Sequence, residues 1–259
     1  MYKKYNLKLG KNEPQAFFNV TDGDIEEYDK EMNALKENLK DKLNGETILS
    51  KDDSLDGSKI INDWFPNYVA DVFISHSHND IRTAKRLACW LKKEFNLKPF
   101  IDSTVWGNSN DLLRIIDNKY AKKPNNLYDY NIRNFTTSHV HMMLATALND
   151  VIYSSECLIF LNTPQSLSVT EVKNEKTTSP WIYNELKTAT TIQENPPKRE
   201  DNKLDRKLDV YEKNNFKIPY TVNKELSKFD DLDITKLKEW QSKHKQYPIV
   251  HPLDVLYNL

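Results

Sequence analysis

Apolar positions along this chain change period several times, and each change marks an element. From Asp24 to Asn44, Ile25, Tyr28, Met32, Leu35, Leu39 and Leu43 recur three or four apart among charged residues. That spacing predicts one amphipathic helix, packed on the main domain or on a partner. The polar stretch NGETILSKDDSLDGS (44–58) carries two glycines and predicts a linker. In YVADVFISHS (68–77) the run Val72, Phe73, Ile74 ends in small polar residues, the pattern of a strand buried on both faces that opens into a loop at its carboxyl end. DIRTAKRLACWLKKEF (80–95) then places Ile81, Ala84, Leu87, Ala88 and Leu91 at helical spacing, and KPFID (98–102) is a second short strand ending in an acid. Strand, helix and strand in this order build a parallel sheet. Ligands of such sheets sit beyond the carboxyl ends of the strands, here around Ser75 to Asn79 and around Asp102 to Trp106.

Further on, a short helix is expected from about Asn110 to Asn118, followed by a polar excursion bearing tyrosines. Ser138 to Tyr153 predicts a helix capped by Ser138, with Val140, Leu144, Ala147, Leu148 and Val151 inward, and CLIFLNT (157–163) a third buried strand. PQSLSVTEVKNEKTT (164–178) reads as a surface loop. It leads into SPWIYNELKTA (179–189), where Ser179 is placed as N-cap and Pro180 at the first helical position. Ile182, Leu186 and Ala189 would face a core, while Trp181 and Glu185, four apart, would share an adjacent, partly exposed face. An aromatic plate beside a carboxylate suits a cationic ring on a sugar; it also suits an ordinary helix start, where an acid offsets the macrodipole. Beyond Asn195 the pattern weakens: a charged loop, an edge strand at FKIPYTV (216–222), a helix at DITKLKEWQSKH (233–244) and a closing tail. Residues 1–23 give no assignable pattern.

Composition narrows the chemistry. With 259 residues, a 38% hydrophobic share and a net charge of -1, the chain can bury a sizeable core and carries no field that seeks polyanions, so nucleic acid is not an expected partner. The opening MYKKYNLKLGKNEPQ lacks a signal-peptide core and no stretch is long enough to cross a bilayer, so a cytoplasmic location without membrane contact is expected. Cys89 and Cys157 fall in a helix and a strand that look buried, which favours thiols over a disulfide. Only five glycines are present, at 10, 23, 45, 57 and 107, so neither a dinucleotide-binding nor a Walker phosphate loop can be built. Two H-x-H stretches, His76/His78 and His139/His141, invite a metal; on a helix the second pair diverges by about 200°, which spoils it as a chelate. No metal site is expected.

Taken together, DVFISHSHND, a helix, FID, an insert, a helix running into CLIFLNTP, and SPWIYNEL resemble a Toll/interleukin-1 receptor (TIR) domain of the bacterial type. The resemblance spans roughly residues 69–195. It implies an α/β fold with a flavodoxin-like parallel sheet and helices on both faces; on this chain the expected layout is an N-terminal helical extension and linker (1–66), a domain core (67–195) with an insert at about 108–137, and a C-terminal extension completing the domain (196–259). In many members it also implies cleavage of NAD+ at the nicotinamide–ribose bond by a glutamate on the helix after the third strand, with an aromatic residue four positions earlier. Glu185 and Trp181 occupy those positions.

One carboxylate is chemically enough. The nicotinamide leaves as a neutral ring, so no general acid must protonate it, unlike the two-carboxylate glycosidases, and Glu185 would stabilise positive charge on the ribose. Trp181 would stack on a nucleotide ring. Sheet geometry adds Ser75, His76, Ser77, Asp102 and Trp106 to the expected pocket. No cofactor is implied, NAD+ entering as substrate. The extra 108–137 segment departs from the compact loop of the family; its Tyr128, Tyr130 and Arg133 are read as anchors of the excursion ahead of a pocket for a second reactant. The resemblance places the chain with the signal-producing TIR proteins of antiphage systems such as Thoeris, which implies self-association, a phage-derived trigger and a separate effector that receives the signal. The rival reading is a TIR module that acts only by binding other TIR modules. A nucleoside deoxyribosyltransferase-like enzyme, with a related sheet and a glutamate nucleophile, stands third.

Overall fold

Strand β4 (Cys157–Asn162) is apolar almost throughout, and Cys157 to Leu161 are all buried. A strand with two buried faces needs a partner on each edge, and β4 has them: β2 (Val72–Ser75) on one side, β1 (Lys3–Lys8) on the other. The computed structural model describes residues 1–10, 17–41, 55–106, 109–169, 175–197 and 220–259, with the backbone alone at 35–41 and 168–169. Among these residues the sheet has five strands in the order β3-β2-β4-β1-β8, all parallel, where β3 is Pro99–Phe100 and β8 is Asp230–Leu232. Flanked by helices, this is the α/β, flavodoxin-like architecture expected. Contacts divide the chain into two compact units, Met1–Tyr28 with Val69–Ile101 and Val151–Leu259, and Asp29–Tyr68 with Asp102–Asp150.

The first unit holds the sheet. Strand β1, KKYNLK, escaped the sequence pattern because polar residues alternate with apolar ones at buried positions: Lys4 and Asn6 are as enclosed as Tyr5 and Leu7. Lys4 is met by a distant charge, whereas Asn6 is met at its amide nitrogen and keeps a buried Oδ1 with no hydrogen-bond partner. Lys4 Nζ donates to Glu194 Oε1 at 2.6 Å, and Asn6 Nδ2 to Asp231 Oδ1 at 3.5 Å. Lys8 pairs with Asp231 of the edge strand β8 at 2.8 Å and Lys3 with Asp230 at 3.8 Å; the two exposed aspartates put charge on that edge, which discourages edge-to-edge association. Helix α3 (Ile81–Phe95) follows β2 and ends on Asn96 in the left-handed conformation, which takes the role glycine usually fills. Phe95 stacks on Trp240 of helix α9 (Ile234–Gln246) at 4.0 Å between ring centroids, and Trp90 meets both rings edge-on. Neither cysteine forms a disulfide, and both are buried.

The second unit contains helices α2 (Gly57–Trp64), α4 (Asp102–Val105), α5 (Ser109–Tyr120) and most of α6 (Tyr130–Ser154). Helix α6 begins eight residues before the expected start at Ser138, which is no cap: its hydroxyl donates to Asn134 O. The start is set by Asp129, whose Oδ1 accepts from the backbone N–H of Asn131 and Ile132, and nothing in the run to Ser138 breaks a helix. In the excursion, Arg133 Nε donates to the buried Asp117 carboxylate at 2.9 Å while its guanidinium lies 5.1 Å from the Tyr128 ring centre. These are anchoring contacts, whereas Tyr130 is 77% exposed.

Helix α1 (Asp22–Asp41) matches the expected stripe through Ile25, Tyr28 and Met32, the last two buried. The side chains of Leu35 and Leu39, Leu43, most of the 44–58 linker and residues 198–219 of the charged loop lie outside the described residues. The 164–178 loop instead contributes two strands, β5 (Ser168–Val169) and β6 (Glu175–Thr177), to a small antiparallel sheet closed by β7 (Tyr220–Thr221) at its edge. Among the described residues no helix is long and apolar enough to cross a membrane.

Candidate functional site

Leaving β2, the chain moves to β3 on one side and only later reaches β4 on the other. The boundary between the carboxyl ends of β2 and β4 is therefore a topological switch point, where open α/β sheets form a crevice. Ser75, the last residue of β2, lies in this boundary in register with Phe160.

Helix α7 (Pro180–Thr191) brings Glu185 to the same place. Ser179 caps it, accepting from Ile182 N at 3.3 Å, and Pro180 starts it. Ile182, Leu186 and Ala189 are buried as the spacing predicts. Glu185 is buried too, at 5% exposure, and not on a partly exposed face. The reason is arithmetic: 182, 185, 186 and 189 are i, i+3, i+4 and i+7, so the carboxylate belongs to the core-facing stripe itself. Its Oε2 accepts a hydrogen bond from Ser75 Oγ at 2.6 Å, both groups buried. Trp181, one turn earlier, is half-buried. On the other flank Tyr183 stacks on Tyr220 at 4.4 Å and Lys187 Nζ donates at 3.1 Å to Glu225 Oε1 on the short helix α8 (Asn223–Leu226), which fixes how α7 is rotated.

His76 and Ser77 continue from β2. The Nδ1 of His76 lies 3.3 Å from Ile74 O; a carbonyl only accepts, so this contact holds the Nδ1–H tautomer and leaves Nε2 for another partner. Ser77 caps the turn His78–Asp80, accepting from Asn79 N. His76 is therefore in a loop and His78 in a turn, and neither H-x-H pair enters a cluster of three ligand groups among the described residues.

Asp102 and Trp106 belong to the second unit. Asp102 opens α4, and Trp106 is 1% exposed, donates its indole N–H to Pro66 O at 3.0 Å and meets Phe65 edge-on. Its ring is packed within the second unit.

Two residues that the sequence did not single out join the first group. Thr163, just after β4, donates its hydroxyl to Asp80 Oδ2 at 2.5 Å and so ties the loop after β4 to the turn after β2. Burial pushes the Asp80 carboxyl above its ordinary range, partly offset by the Thr163 hydrogen bond and by His76. The available signal was positional: Thr163 stands after β4 as Ser75 to Ser77 stand at the end of β2.

The group thus comprises a buried carboxylate that accepts from the Ser75 hydroxyl, a half-buried indole one turn away, and an imidazole with a polar turn at the strand end. Such a carboxylate can stabilise a developing positive charge and accept hydrogen bonds from substrate hydroxyls, and its enclosure strengthens both effects. Comparison of the chain with models of protein families, with curated proteins and with solved structures found no match.

Proposed function

We propose that this chain cleaves NAD+ between nicotinamide and ribose, as a TIR-type enzyme with Glu185 as its catalytic carboxylate. The observation that carries the reading is the Ser75–Glu185 hydrogen bond: an acid 5% exposed, held at 2.6 Å at the carboxyl end of β2, beside the switch point. In the transition state the pyridinium takes the bonding electrons and leaves as neutral nicotinamide, while positive charge moves to the ribose. The Glu185 carboxylate stabilises that charge and accepts hydrogen bonds from the ribose hydroxyls. Ser75 orients the carboxylate, Trp181 stacks on a ring of the dinucleotide, and His76 and Ser77 border the sugar-phosphate. Water, the adenine ring or another nucleophile then captures the ribosyl cation, giving ADP-ribose, a cyclic isomer or a conjugate. Such a product suits a cytoplasmic antiphage signal of the Thoeris kind, made on a phage-derived trigger by a self-associating enzyme and read by a separate effector.

The test incubates purified protein with NAD+, with and without lysate from phage-infected cells, and resolves products by chromatography and mass spectrometry. Glu185→Gln is expected to lower nicotinamide release by about 100-fold or more, the scale of removing one preorganised electrostatic group. Equal release by both proteins would refute the assignment. The same hydrogen bond also favours a second reading, in which Ser75 and Glu185 only pin α7 to the sheet of a non-catalytic TIR scaffold. A wild-type protein that self-associates but releases no nicotinamide under any of these conditions would support that alternative.

A further inference from the structure

At the opposite end of β4 from Ser75, three ligand-bearing side chains converge that the proposed reaction does not use. Glu156 immediately precedes β4; His251 caps helix α10 (Pro252–Tyr257), and Asp254 lies in its first turn. One ligand atom from each lies within 4.8 Å of the others, and all three residues are half-buried.

Carboxylates approach one another on many protein surfaces, so proximity alone decides nothing. The second observation is the imidazole: His251 Nδ1 is shielded from solvent and has no hydrogen-bond partner, a condition that buried polar groups rarely tolerate. A third is the support behind Glu156, whose Oε1 accepts a hydrogen bond from Tyr257 Oη at 2.8 Å, with the Tyr257 ring braced edge-on against Tyr2 at 5.2 Å. Orienting partners of this kind stand behind metal-binding carboxylates.

We propose that Glu156, His251 and Asp254 bind a borderline divalent cation, Zn2+ foremost, which clamps α10 to the base of β4. Two carboxylates and a neutral imidazole balance a charge of +2. The nitrogen donor disfavours Mg2+ and Ca2+, which take oxygen ligands, and suits Zn2+. Bond lengths of about 2.0–2.2 Å would bring the three atoms to roughly 3.0–3.6 Å apart, a closure that side-chain rotation supplies. Three protein ligands leave one position for water. At the amino end of the strands the ion is structural, and it is independent of the proposed NAD+ chemistry.

The experiment takes the full chain, stripped with chelator, and titrates it with ZnCl2 and in parallel with MgCl2 by calorimetry, with thermal unfolding measured alongside. One Zn2+ per chain is expected, with micromolar affinity and a rise in unfolding midpoint of about 5 °C at saturating metal. His251→Ala and Asp254→Asn should each weaken Zn2+ binding at least 10-fold and abolish the metal-dependent rise in midpoint. A His139→Ala/His141→Ala double variant should bind as wild type. Because Asp254→Asn is a half-buried, near-isosteric change, it keeps the test open if His251→Ala fails to fold. Absence of saturable Zn2+ binding would overturn the proposal, as would equal binding of Mg2+, binding that survives Asp254→Asn, or loss of binding in the His139/His141 variant.

Discussion

Ser75 and Glu185 stand 110 positions apart and share one short hydrogen bond between buried groups. Removing the hydroxyl leaves the carboxylate in place with one fewer donor, and hydrogen bonds to charged groups are worth about 1.5–3 kcal/mol. Ser75→Ala should therefore reduce nicotinamide release by about 10- to 100-fold, chiefly in kcat, with an unfolding midpoint lowered in the same preparation; steady-state kinetics and calorimetry read the two effects separately. Asp80 offers a test that needs no substrate. Burial raises its carboxyl, so the folded protein holds that proton more tightly than the unfolded chain. Its contribution to stability is present in acid and is lost as pH rises through the raised value. Asp80→Asn keeps an oxygen for Thr163 and carries no charge. The variant should equal or exceed the parent in midpoint at pH 7, with the gap closing below the ordinary carboxylate range. A variant less stable than the parent at neutral pH and unchanged in acid would contradict this.

At the scale of elements, α7 matters most because it carries both Trp181 and Glu185. Its start depends on the Ser179 cap, and Ser179→Ala should destabilise the protein by about 1 kcal/mol in denaturant titration. Its rotation is set on the far side by Lys187 and the buried Glu225. Lys187→Met should cost about 1–2 kcal/mol, chiefly because Glu225 is left enclosed without its cation; the ammonium itself is 45% exposed and its own attraction is screened. Strands β2, β3 and β4 and helices α3, α5 and α7 were legible because each is announced locally, by an apolar run or by helical spacing, whereas the short α4, β5 and β6 carry too few residues to show a period. Helix α6 was legible in its apolar half and hidden in its first eight residues, where Tyr130, Ile132 and Phe135 face outward and leave no inward stripe to read.

For the whole molecule, β1 is decisive. It lies between β4 and β8, so deleting residues 1–10 would strip both neighbours of a partner and expose unpaired backbone along β4. The truncated chain is expected to lose cooperative unfolding or to aggregate; a soluble truncated protein with the parent's unfolding curve would show that the sheet does not depend on β1. In the intact protein, amide exchange should be slowest in β4, paired on both sides and closed to water on both faces.

Local pattern in the sequence determined the α/β class, strands β2 and β4, helices α3, α7 and α9, the Ser179 cap and two buried thiols, because each depends on residues within a few positions of one another. Only the tertiary structure decided that KKYNLK is a central strand, since its buried Lys4 is made tolerable by Glu194 from far along the chain, and Asn6 is met there by Asp231 at its amide nitrogen alone. The same holds for the Ser75–Glu185 and Asp80–Thr163 bonds, for the enclosure of Trp106 against Phe65, and for the meeting of Glu156 with His251 and Asp254. Burial and pairing of polar groups are properties of neighbours in space, and the chain's periodicity reports only neighbours in order.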